Sequence, residues 1–68
     1  MNIGNRIRLL REEKGLTQGE LAEKLHVTQS FISVVENKNK NLSMRKFLEL
    51  AEIFECSVEV ITGKEGLK

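Results

Sequence analysis

A chain of 68 residues is expected to make one small domain, residues 1–68, with no room for a separate effector domain. At 40% hydrophobic and 31% charged residues, with no proline, tryptophan or tyrosine, the composition argues against a disordered tail or a sheet and for a compact helical domain. The single cysteine, Cys56, cannot close an internal disulfide, and no apolar stretch suits a signal peptide or a membrane span, so a cytoplasmic location is expected.

The formal net charge is only +1, but the charges are segregated. Residues 1–11 carry Arg6, Arg8 and Arg11 without an acid, and residues 37–46 carry Lys38, Lys40, Arg45 and Lys46 without one. Residues 47–62 hold Glu49, Glu52, Glu55 and Glu59 and no base, so the fold can present a positive face and a negative back.

In chain order, Ile3, Ile7 and Leu10 fall at i, i+4 and i+7 on one face of a first helix that ends at Gly15, a natural left-handed cap. Thr17 with Glu20 forms a capping box that opens a second helix, about Gln18 to Leu25, with Leu21, Ala22 and Leu25 on its buried side. Only His26 and Val27 separate it from Thr28, the N-cap of a third helix that carries Ile32 and Val35 inward and ends near Glu36. Ser43 caps a fourth helix in which Phe47, Leu48, Leu50, Ala51 and Phe54 repeat at helical spacing. Ser57 caps a short fifth helix closed by Gly63.

Two short helices joined by so tight a turn, the second capped by Thr and polar along its start, suggest a helix-turn-helix over Thr17 to Glu36. From Ile7-Arg8 and Leu10-Arg11 through Gly15-Leu16-Thr17-Gln18, Glu20-Leu21-Ala22, Val27-Thr28, Ile32-Ser33 and Val35-Glu36, the sequence resembles the lambda-repressor-like, or XRE, family. The likeness continues through Asn41, Ser43, Leu48, Ala51 and Ser57-Val58. It implies an all-α domain of five helices around one core, with the third helix in the DNA major groove. Two positions depart from the pattern: His26 replaces the glycine usual in the turn, and Lys38 the glycine usual after the third helix. Histidine tolerates the left-handed conformation at a cost of roughly 1 kcal/mol relative to glycine.

With that helix in the groove, Gln29, Ser30, Ser33 and Val34 are the outward residues placed to meet base edges. A Gln29 amide can bond both N7 and N6 of adenine, and an outward Val34 complements a thymine methyl group. The resemblance assigns Gln18 to a phosphate and to bracing Gln29, and it joins Arg11 to Glu36 as an internal salt bridge, with a phosphate contact as the alternative for Arg11. Asn37, Lys38, Asn39, Lys40 and Asn41 offer donors without acids to the sugar-phosphate strand, and Arg45 could reach phosphate as well. Cations at 45 and 46 oppose the positive end of their helix dipole, which asks for an anionic partner.

The chain has no paired nucleophile and base, no metal-ligand spacing and no glycine-rich phosphate loop, so neither an enzyme nor a cofactor, metal or small-molecule site is expected. His26 lacks partner ligands, and Cys56, where the family normally has valine, reads as a small buried hydrophobe. The expected partners are double-stranded DNA and a second copy of the chain, with Leu9, Leu67 and Val60 as candidate seam residues off the core stripes. The rival is a protein-interaction module such as a toxin-neutralising antitoxin. Among DNA regulators, phage-type repressor, restriction-modification controller and autoregulating antitoxin remain open, the Asn41-Leu42-Ser43 segment resembling controllers somewhat.

Overall fold

A computed structural model describes residues 3–38 and 42–62. It has five helices: α1 (Ile3–Glu13), α2 (Gln18–Leu25), α3 (Gln29–Lys38), α4 (Met44–Phe54) and α5 (Val58–Thr62). Among the described residues there is no strand, and no helix is long and apolar enough to cross a membrane.

Every helix places its apolar stripe in a single core. Ile7 comes from α1, Leu21, Ala22 and Leu25 from α2, Ile32 and Val35 from α3, Leu50 and Phe54 from α4, and Ile61 from α5. A fully buried Leu or Ile of this kind contributes about 1.5 to 3 kcal/mol of transfer free energy. Helix α3 packs against both α2 and α1, while α5 closes the other side against α4 and α1. Helix α3 is therefore held from two directions.

The helix starts obey the local chemistry. The Thr17 hydroxyl accepts from the Glu20 N–H at 3.0 Å while the Glu20 carboxylate accepts from the Thr17 N–H at 2.8 Å, a complete capping box. Thr28 caps α3 by accepting from the Phe31 N–H at 3.0 Å, and Ser43 caps α4 by accepting from the Lys46 N–H at 3.2 Å.

The helix ends share one device. After α1, α2 and α4 the chain turns through a left-handed residue, Gly15 (φ 72°), His26 (φ 62°) and Glu55 (φ 56°) respectively. In each case the next amide bonds back five residues: Leu16 to the Arg11 carbonyl, Val27 to that of Ala22, and Cys56 to that of Ala51. This is the Schellman arrangement, which satisfies carbonyls that a helix end leaves open. Leu16, Val27 and Cys56 then fold back onto the core as half-buried side chains, so Cys56 is a turn residue at the core margin rather than a fully buried one.

Two expectations of helix anatomy change. Helix α3 runs past Glu36 to Lys38, since lysine is a good helix former whose charge suits the negative end of the helix. Leu48 does not join the core: it is 54% exposed, because Leu50 and Phe54 take the inward face of α4 and Leu48 lies about 160° and 120° around the axis from them. Gly63 and Leu67 lie outside the described residues.

Candidate nucleic-acid interface

The positioning of α3 begins with a carboxylate. Glu36 is completely buried at its side chain, and a lone charge there would be prohibitively costly. It is instead surrounded by donors from two other helices. Arg11 Nε donates to Glu36 Oε2 at 2.8 Å and Arg11 Nη2 to Oε1 at 3.2 Å, a two-pronged pair, while Gln18 Nε2 donates to Oε1 at 3.1 Å. The remaining prong of Arg11, Nη1, donates to the Leu16 carbonyl at 2.8 Å. One buried network thus fastens the end of α3 to α1, to the α1–α2 turn and to the first residue of α2.

Gln18 has a partner within the domain that the sequence does not announce. Its amide is aimed at Glu36, because a buried carboxylate is a strong acceptor. What borders Gln29 is Gly19: a Cβ on that glycine would stand 3.6 Å from Gln29 Oε1.

A second device lies outside the motif. Gly4 is buried where α1 crosses the end of α3, and a Cβ there would sit 2.5 Å from the Val35 carbonyl oxygen and 2.7 Å from that of Glu36. The backbones approach so closely that no larger residue fits without moving α3. Its signal in the sequence is that Gly4 shares the stripe of Ile7 and Arg11, and a glycine on a buried helical stripe marks close packing.

Ser30, Ser33 and Val34 lie away from the buried Glu36–Val35–Ile32 stripe, and Gln29, in line with Glu36 but at the uncovered start of the helix, joins them: Gln29, Ser30 and Val34 are exposed and Ser33 is half-buried. Val34 is 40% exposed. Asn37 and Lys38 extend this surface as part of the helix rather than of the loop, and the Asn37 amide donates to the Ser33 hydroxyl at 3.2 Å. Asn39, Lys40 and Asn41 lie outside the described residues.

The cations opening α4 separate into two roles. Lys46 finds its acceptors inside the molecule, donating to the Leu25 carbonyl at the end of α2 at 2.9 Å and to the Glu49 carboxylate at 3.2 Å. It ties α4 to the turn of the motif, so its position against the dipole needs no external anion. Arg45 is different: its side chain is 88% exposed and its nearest acid, Glu49, is 3.9 Å away. On the far side, Lys14 donates to Glu55 at 2.8 Å, and that contact holds the Glu55 carboxyl below its ordinary value. No group of three potential metal ligands occurs among the described residues.

A tight two-helix motif with a left-handed turn, its second helix anchored from behind and polar in front, defines a helix-turn-helix domain. The chain belongs to the helix-turn-helix family, whose model matches residues 7–61. It is 43% identical over 61 residues to the competence pilus inhibition repressor of Acinetobacter baylyi and 34% identical over 67 residues to the immunity repressor protein of Bacillus phage phi105. These matches cover 90% and 98% of this chain but only 56% and 46% of the relatives, so the chain spans about half of their length. It is also 34% identical over 64 residues to antitoxin HipB of Escherichia coli, covering 94% of this chain and 68% of that protein.

Solved structures agree on the fold. The restriction-modification controller protein C.AhdI from Aeromonas hydrophila superposes with a TM-score of 0.79 at 32% identity, over 87% of this chain and 89% of the other. SinR, the master regulator for biofilm formation, solved in complex with DNA, superposes with a TM-score of 0.78 at 37% identity, over 87% and 95%.

Proposed function

We propose that the protein is a sequence-specific, double-stranded DNA-binding transcription regulator of the repressor type, acting as a dimer on a two-fold symmetric operator with α3 in the major groove. The observation that carries this reading is that α3 is anchored by buried residues near its end while its start and outer side stay accessible. Glu36 and Val35 are buried and fixed by α1 and α2, while Gln29, Ser30, Ser33 and Val34 form an accessible surface of donors, acceptors and one apolar group. Such a surface matches what base edges present in a major groove. Gln18, Asn37 and Lys38 are candidates for the sugar-phosphate strand, as are Asn39, Lys40 and Asn41, which follow them in the sequence. The likeness to SinR, solved with DNA, and to two repressors points the same way.

Selection of bound sites from random duplex DNA tests the reading. The wild-type chain is expected to enrich one site with two-fold related halves, and Gln29→Ala to lose preference at one base step, a discrimination of about 1 to 3 kcal/mol. Unchanged preference in the variant removes Gln29 from the reading set. Failure of the wild type to enrich any site favours the second reading, an interaction module comparable to the antitoxin it resembles.

A further inference from the structure

Among the described residues four large apolar side chains are exposed: Leu9, Val34, Met44 and Leu48. Val34 belongs to the α3 surface and Leu9 stands apart on α1. Met44 and Leu48, 65% and 54% exposed, are one turn apart on the outer face of α4 and merge into one patch.

The charges around that patch are ordered along the helix. Arg45 lies at its start, while Glu52 and Glu55 stand at its end, all three exposed. At 100° and 1.5 Å per residue, Arg45 and Glu52 fall about 60° and 40° to one side of Leu48, and Met44 and Ala51 about 40° and 60° to the other. Arg45 lies about 4.5 Å before Leu48 along the axis, and Glu52 about 6 Å beyond it.

We infer that this face of α4 is self-complementary and pairs with α4 of a second copy, antiparallel, about a two-fold axis at Leu48. A two-fold rotation reverses the helix direction but keeps each flank on its own side. It stacks Leu48 on its counterpart, lays Met44 against the partner's Ala51, and brings Arg45 to the partner's Glu52, with every contact made twice. The pairing gives Arg45 an acid that its own chain supplies only at 3.9 Å, and it sets the two helix dipoles antiparallel. A second copy fits better than an unrelated partner because basic start and acidic end lie on one helix, and only its own reversal matches both. An interface of two or three helical turns is small beside the roughly 800 Å² per partner of a stable complex, so the dimer is weak and concentration-dependent. The pairing rests on the dimeric part of the proposed function and gives it a surface.

Sedimentation of the whole chain without DNA, over a concentration series, tests it separately from operator binding. The wild type is expected to show a monomer–dimer equilibrium. Leu48→Glu, which opposes two like charges at the axis, is expected to weaken it by about tenfold or more. Arg45→Glu and Glu52→Arg are each expected to weaken it, and the double exchange to restore it, a rescue that general damage to the fold cannot produce. Circular dichroism confirms that each variant is folded. Affinity for a single half-site duplex is expected to be unchanged in Leu48→Glu, so a failure of DNA binding is told apart from a failure of pairing. A wild type monomeric up to its solubility limit overturns the inference. So does a dimer insensitive to Leu48→Glu, or one lost instead on Leu9→Glu, which would place the seam on α1.

Discussion

The turn between α2 and α3 and the turn between α4 and α5 are nearly the same object. Leu25-His26-Val27-Thr28 and Phe54-Glu55-Cys56-Ser57 each run from a buried apolar residue through a left-handed residue to a half-buried apolar one and a hydroxyl residue that opens the next helix. His26 has φ 62° and ψ 44°, and Glu55 has φ 56° and ψ 45°. Yet one turn leads into a long helix with an accessible polar surface and the other into a short one. The turn sets only the angle at which two helices meet. The helices beyond the two turns differ: α3 has ten residues, a polar outer face and a buried network at its end, whereas α5 has five and sends Ile61 into the core. The proposed function therefore rests on the helix after the turn and on what fixes its far end.

The largest test of this contrast is to cut the anchor that only α3 possesses. Arg11→Ala leaves the buried Glu36 carboxylate with Gln18 as its remaining donor, and is expected to cost about 3 to 5 kcal/mol. For a domain of this size each kcal/mol lowers Tm by roughly 4 to 8 °C, so thermal unfolding will show it plainly. Replacing Arg11 and Glu36 together by methionine is expected to recover much of that loss, since no charge is then stranded. A drop below about 1 kcal/mol for Arg11→Ala would mean that α3 is held by core packing alone.

A smaller effect compares the two turns directly. His26→Gly relieves a left-handed side-chain residue and is expected to stabilise by about 1 kcal/mol. Glu55→Gly relieves the same strain but deletes the contact to Lys14, so its gain is expected to be smaller. Equal gains by urea unfolding would show that the Lys14 contact contributes nothing.

The smallest effect is the pH dependence of that contact. Lys14 lowers the Glu55 carboxyl below its ordinary value near 4.5, first by hydrogen bonding and then by charge. A group depressed in the folded state adds stability above its unfolded value and loses it as pH falls through the folded one. The Tm difference between wild type and Lys14→Gln is therefore expected to be constant at neutral pH and to vanish in acid. It will be slight, because the Glu55 side chain is largely exposed. A difference that persists in strong acid would assign it to lost packing.

The local grammar of the chain is legible without coordinates. Thr17 with Glu20, Thr28 and Ser43 announce three helix starts, and Gly15 and His26 two ends, because caps and left-handed residues act within a few positions. The turn at Glu55 is equally local but silent in the sequence, for glutamate carries none of the enrichment that makes histidine a marker of positive φ. Leu48 reads as inward because it lies among apolar neighbours, and periodicity alone does not say which of two nearby apolar residues points out.

Sequence alone determined five helices, their caps, the motif and the residues along the outer face of α3, since each depends on chemistry within a turn or two. Tertiary structure decided the rest. It gave Gln18 the buried Glu36 carboxylate and Lys46 the Leu25 carbonyl as partners, and required glycine at position 4, where two backbones nearly touch. Those choices depend on which buried acceptor lies nearest in space, and distance across a core is not written in the spacing of residues along a chain.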